Sequence, residues 1–166
     1  ETLSAFNPRY VLSQDYDLWL RLSEIGHVAS IDKPLVRIRK HEQNISNLEE
    51  GMLQPLLGFA ASVCHFLRIH GCPDPSVSKD DAAWQNFLQW IEKRMIEEGV
   101  FAKRKAWGDA RAEYFTTKNR LTGALRFGRH LLKSGYAGAL VREKFFGSSL
   151  PQCLAREWMK RSCTVL

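Results

Sequence analysis

Ser13-Gln14-Asp15-Tyr16-Asp17-Leu18-Trp19-Leu20-Arg21-Leu22, led in by Phe6-Asn7-Pro8-Arg9-Tyr10, is the stretch that decides how this chain reads. Leu18, Leu22 and Ile25 recur at i, i+4 and i+7, the spacing of one helix face, and Trp19 widens that face. The pattern predicts a helix over residues 13–26. Ser13 is of the type that caps a helix start, and Gly26 stands where helices commonly stop. Asp15 lies in the first turn, where the helix dipole and the free N–H groups favour a carboxylate.

Outward from this helix, His27 to Ile31 and Leu35 to Arg39 read as two short strands. Asp32-Lys33-Pro34 forms the turn between them. Beyond about Ser46 the pattern becomes helical. Residues 48–70 are rich in Leu, Phe and Ala, with Pro55 marking a first turn or a kink. Gly71-Cys72-Pro73-Asp74-Pro75 is a break. Residues 79–98 follow, with Trp84, Phe87, Leu88, Ile91 and Met95 on one face and Gly99 at the end. Shorter helices are expected over 109–118, 120–134, 136–146 and 151–162. The fold class expected is therefore mainly α with a short β-hairpin.

The 166 residues suffice for one ordinary domain, or a small domain with a helical annex. Charged residues at 25% and hydrophobic ones at 45% exclude wholesale disorder. No apolar run approaches the roughly 20 residues of a membrane span. The net charge of +6 is uneven. Residues 1–53 carry six Lys/Arg against eight Asp/Glu, whereas residues 99–166 carry fourteen against four. A basic tail fits an anionic partner, or simply solvated helix faces. Cys64, Cys72, Cys153 and Cys163 make no C-x-x-C pair and no zinc framework, which suits a reduced, cytoplasmic chain. The opening Glu1-Thr2-Leu3-Ser4 reads as the interior of a longer chain.

The front segment continues as Ile31-Asp32-Lys33-Pro34-Leu35-Val36-Arg37-Ile38-Arg39-Lys40-His41, then Asn44-Ile45-Ser46. In this order, residues 3–46 resemble the end of the catalytic domain of family 2 glycosyltransferases of the GT-A type. There, an acidic motif after a Gly-Gly-Phe-Asp-like loop is commonly followed by Tyr-Asp-Leu-Trp-Leu-Arg, and a Pro-Leu-Val-Arg-Tyr-Arg-x-His-like segment comes after. Two positions depart from the pattern: Ser4-Ala5 replaces two glycines, and Gln14 stands where Glu is common. The resemblance divides the chain into residues 1–47, the end of a GT-A α/β domain, and residues 48–166, an α-helical extension.

The resemblance implies an inverting transfer of sugar from a nucleotide-sugar donor to a hydroxyl of a saccharide or lipid-linked acceptor. Such a reaction needs a base for the hydroxyl proton and positive charge for the leaving diphosphate. Asp15 is the candidate base; a plain helix-start acid is the alternative. Asp17, two positions on, faces elsewhere and is structural or supports Asp15 from behind. Gln14, Trp19, Arg37 and Arg39 are candidate substrate-binding residues, although the stripe position of Trp19 also suits a core residue and the two arginines also suit surface ion pairs. His41 is the candidate ligand of a divalent cation, Mn²⁺ or Mg²⁺; an exposed loop histidine is the alternative.

The family's Asp-x-Asp donor motif has no counterpart outside Asp15-Tyr16-Asp17, which belongs to the helix, and no strand–Gly–helix nucleotide unit precedes it. The chain alone is therefore expected to be inactive.

Residues 48–166 hold no chemical constellation. Their basic residues interleave with aromatics, from Lys103 and Trp107 to Lys144 and Phe145. That pattern suits helices packed together, or a face on an anionic membrane surface at the inner, cytoplasmic side. The alternative to an enzyme part is a non-catalytic helical interaction or membrane-surface module. No nucleic-acid motif is present, and no nucleic-acid partner is expected.

Overall fold

The computed structural model describes residues 5–37, 52–117, 119–133 and 149–162. Among them are six α-helices: α1 Gln14–Ile25, α2 Leu53–Ile69, α3 Asp81–Glu97, α4 Val100–Thr116, α5 Arg120–Lys133 and α6 Leu150–Ser162. The 3-10 turns Pro8–Tyr10 and Pro75–Val77 complete them. The expected helix over 136–146 lies outside the described residues. The chain divides into two compact units, Glu1–Ile91 with Pro151–Leu166, and Glu92–Leu150.

The first unit is built around α2. Leu56, Leu57, Ala60, Ala61, Val63, Cys64 and Leu67 are all buried, so this helix is apolar on most of its circumference. Pro55 sits at its third position, where a missing N–H costs nothing. At its other end Gly71 adopts φ +69, in the left-handed region. The Gly71 N–H then reaches the Arg68 carbonyl at 2.9 Å, and the Cys72 N–H reaches that of Leu67 at 2.9 Å. This pair of bonds is a Schellman closure, which satisfies carbonyls the helix end leaves open.

Aromatic rings fill the rest of this unit. Tyr10 meets Trp84 edge-on at 5.6 Å. Trp158 of α6 meets Phe87, on the α3 face that the sequence pattern marks, at 4.9 Å, and also meets Trp90, which that pattern leaves out, at 4.9 Å. The lead-in segment is sewn to the same core. Asn7 Oδ1 accepts the Arg9 N–H at 3.0 Å, and Asn7 Nδ2 donates to Ser76 Oγ at 3.2 Å. Arg9 Nη2 donates to the Ser78 carbonyl and to Asp81 Oδ1, each at 2.7 Å.

In the second unit α4 and α5 form a helical hairpin. Asn119 Oδ1 accepts the Leu121 N–H at 2.9 Å, so it caps α5, and Arg120-Leu121-Thr122-Gly123 is the first turn of that helix. Gly123 lets the helices approach: a Cβ there would stand 3.4 Å from the Tyr114 carbonyl oxygen and 3.4 Å from its ring. The rings of Tyr114 and Phe127 meet at a tilt across the hairpin, their centroids 6.1 Å apart. The helix expected over 109–118 starts earlier, at Val100, directly after Gly99 at φ +64.

The β-hairpin requires correction. Residues 27–37 form no strand, and every one of them is exposed. Val28, Ile31, Leu35 and Val36 face solvent on both sides of the alternation. Alternation marks which side a strand would bury, but a two-stranded ribbon is marginal in water unless a sheet or helix packs on one face, and among the described residues none covers this segment. Residues 38 and 39, the end of the second expected strand, lie outside the described residues.

Candidate active site

The site is the N-terminal half of α1, and its position is set by a clamp. Leu12 is held at φ 74, uncommon for a residue with a side chain. Its carbonyl accepts from Gln54 Nε2 at 3.1 Å, and Ser13 Oγ donates to the Gln54 carbonyl at 3.0 Å. Ser13 occupies the cap position but makes no side-chain cap bond, because its hydroxyl is committed to α2. The strained turn thus fixes where α1 begins relative to α2.

The face that α1 buries is its polar one. Asp17 is fully buried, and its Oδ2 accepts from Arg21 Nε at 2.9 Å. Arg21 Nη2 also donates to the Ala5 carbonyl at 2.8 Å. Glu24 lies 2.7 Å from His65 Nδ1 and takes bonds from Arg68 Nε at 3.0 and 3.1 Å. Arg68 continues to Asp74 Oδ2 at 2.6 Å, and Asp74 Oδ1 accepts the Ser76 N–H at 2.8 Å. Tyr16 shares a 3.0 Å bond with Ser62. Charge pairing of this kind across α1 and α2 is what permits polar side chains between packed helices.

Burial pushes the Asp17 carboxyl up from its ordinary value, against the pull of Arg21. Burial also pushes up Tyr10, with Cys64 and Asp74 adding to it, and Cys64, with Asp74 adding to it. A buried thiol held protonated is no nucleophile at neutral pH, so Cys64 belongs to packing. The two carboxylates that hold Arg68 keep its guanidinium charged despite burial, which alone would lower it.

Trp19, Leu22 and Ile25 of α1 consequently face outward, whereas Leu18 and Leu20 are half-buried. Trp19 is 56% exposed and Ile25 70%, with Leu22 exposed between them. Most of the stripe that the sequence marks as one face, all but the half-buried Leu18, is turned to solvent, because the fully buried position Asp17 belongs to an ion pair. Asp15 is exposed too, and its Oδ1 accepts the Tyr16 N–H at 2.8 Å. Asp15 and Trp19 are four residues apart in α1, so they share this face one turn from each other. Gln14 is half-buried at the first position of the helix. Arg37 is exposed in the segment after α1, and nothing described brings it to Asp15. Arg39 and His41 lie outside the described residues.

No three His, Cys, Asp or Glu side chains among the described residues converge in a way that would hold a metal ion. The residues described therefore do not assemble a cation site, and no chemical step is derived through one. A cleft of about 210 Å³ opens between Leu67, Asp74, Pro75, Trp158 and Met159. It contains none of the candidates and is smaller than the roughly 300 Å³ at which ligand pockets begin.

The Glu24–His65–Arg68–Asp74 chain was not marked by sequence. Glu24 stands more than 40 positions from His65 and Arg68, and no local spacing announces that pairing. Compared with family models, with curated proteins and with solved structures, the chain matches none.

Proposed function

We propose that this chain is the acceptor-side end of an inverting glycosyltransferase, with Asp15 as the base. The observation that carries the reading is the pair on the outer face of α1: an exposed carboxylate one helical turn from an exposed indole. A flat aromatic surface beside a carboxylate suits a sugar ring, whose C–H face stacks while a hydroxyl meets the acid. The order of residues 3–46 supports it as a resemblance.

In this reading Asp15 keeps one oxygen on the Tyr16 N–H, and the other takes the acceptor hydroxyl proton. The hydroxyl oxygen bonds to the anomeric carbon from the side opposite the leaving group. The nucleoside diphosphate departs with the electron pair of the broken C–O bond. Gln14 and Trp19 orient the acceptor, and Arg37 and Arg39 are the residues assigned to meet the charge of the diphosphate. A divalent cation belongs to the reading only through His41. The sparse cysteines, with no C-x-x-C pair among them, suit a cytoplasmic setting for the reaction. The exposed stripe of Leu22 and Ile25 is the surface on which the rest of a GT-A domain packs.

Nucleoside diphosphate release from a panel of nucleotide sugars tests the proposal. The 166-residue chain alone releases none, and the protein encoded by the complete reading frame around it releases diphosphate when acceptor is present. Transfer by the 166-residue chain alone, or none by the complete protein with any donor, contradicts the reading.

A further inference from the structure

The last helix of the α4–α5 hairpin carries a second outward face of different chemistry. Leu121, Leu125 and Leu132 of α5 are 72%, 70% and 74% exposed. At 3.6 residues per turn they fall within an arc of about 40°. Arg126, Arg129 and Lys133 are exposed and occupy the adjoining arc, about 80° to 140° from Leu121. The opposite side of α5 is committed to α4 through Gly123 and Phe127. The helix contains four Lys/Arg and no Asp or Glu.

We infer that this face of α5 docks on an anionic lipid bilayer. Leucines this exposed are costly in water and gain nothing from a phosphate backbone, but they enter the acyl boundary of a bilayer. Lysine and arginine beside them meet the anionic headgroups, with their aliphatic stems lying along the apolar layer. The helix is amphipathic and does not span: no helix among the described residues is long and apolar enough to cross a membrane. The inference is independent of the transferase reading, since it uses no residue of α1.

The test is co-sedimentation of the whole chain with vesicles of phosphatidylcholine alone and of an equal mixture with phosphatidylglycerol. The chain sediments with the anionic vesicles and stays in solution with the neutral ones. Arg129→Ala with Lys133→Ala weakens partitioning about thirtyfold, from roughly fivefold for each basic side chain near an anionic surface. Leu121→Ser with Leu125→Ser weakens it at least tenfold, with an unchanged far-ultraviolet circular dichroism spectrum because both residues are exposed.

Equal binding to both vesicles, or binding to neither, overturns the inference. So does loss in the charge variant with none in the folded leucine variant, which would make the face a general polyanion contact. If the leucine variant turns a dimer into a monomer while vesicle binding stays, the face is a contact between copies and the bilayer assignment fails. Should the leucine variant unfold, the charge variant and the neutral vesicles still decide.

Discussion

Helices α1 and α5 both turn apolar side chains to solvent, but what borders those side chains has opposite sign. On α1, Trp19, Leu22 and Ile25 run beside Asp15, in a helix with three acids and one arginine. On α5, Leu121, Leu125 and Leu132 run beside Arg129 and Lys133, in a helix with no acid. The backs of the helices differ as well. Helix α1 is held through ion pairs, and α5 through a glycine contact with an aromatic ring. An exposed apolar stripe is thus not one kind of surface. Beside a carboxylate it suits an uncharged sugar, and beside guanidinium groups it suits anionic lipid.

The comparison breaks most severely at the back of α1. Arg68→Ala leaves the largely buried carboxylates of Glu24 and Asp74 without the guanidinium they share, and is expected to cost about 3–5 kcal/mol in urea unfolding. A loss below about 1 kcal/mol would mean that the ion pairs do not hold α1 in place.

On the α5 side, Gly123→Leu is expected to cost about 2 kcal/mol, because the Tyr114 backbone cannot give way. Gly123→Ala should be near neutral, since roughly 1 kcal/mol of helix propensity offsets the tight contact. Thermal or denaturant unfolding of both variants would show whether the close approach, and not glycine flexibility, sets the hairpin.

A subtler difference is pH dependence. The Asp17 carboxyl is raised in the folded state, chiefly by burial, so the native chain holds that proton at a higher pH than the unfolded one. Its contribution to stability therefore falls as pH rises from the ordinary carboxylate range through the raised value. Asp17→Asn keeps an acceptor for Arg21 and removes that slope, which unfolding measured across acidic pH would register as a flatter profile relative to the parent chain.

The smallest expected effect is at Trp19. Exposed as it is, Trp19→Ala should change stability by no more than about 0.5 kcal/mol. A buried tryptophan would cost about 3–5 kcal/mol. In the complete protein, the same variant should raise KM for acceptor far more than it lowers kcat.

Helices α2 and α3 are legible because most of their apolar residues are also the buried ones, and Gly71 and Gly99 mark their ends with the backbone angles only glycine adopts cheaply. Helix α1 is legible as a helix, but its apolar stripe does not say which face is buried. Periodicity identifies which residues share a side, but it assumes that the apolar side is inside. The pairing of Glu24 with His65 and Arg68 reverses that assumption across more than 40 positions. Residues 27–37 failed for a related reason, since alternation needs a neighbouring strand that local pattern does not contain. Within the candidate site, Asp15 and Trp19 could be placed together by their four-residue spacing. The clamp of Leu12 and Ser13 on Gln54, which sets where they stand, could not.

Asp15→Asn in the protein encoded by the complete reading frame, assayed for acceptor-dependent sugar transfer, tests the central claim most directly. The exposed position predicts an unfolding midpoint like that of the parent protein, and loss of the base predicts a fall in kcat of about 10²–10⁴-fold. A folded variant that transfers sugar at the parent rate would contradict the assignment of Asp15 and leave α1 without a catalytic role.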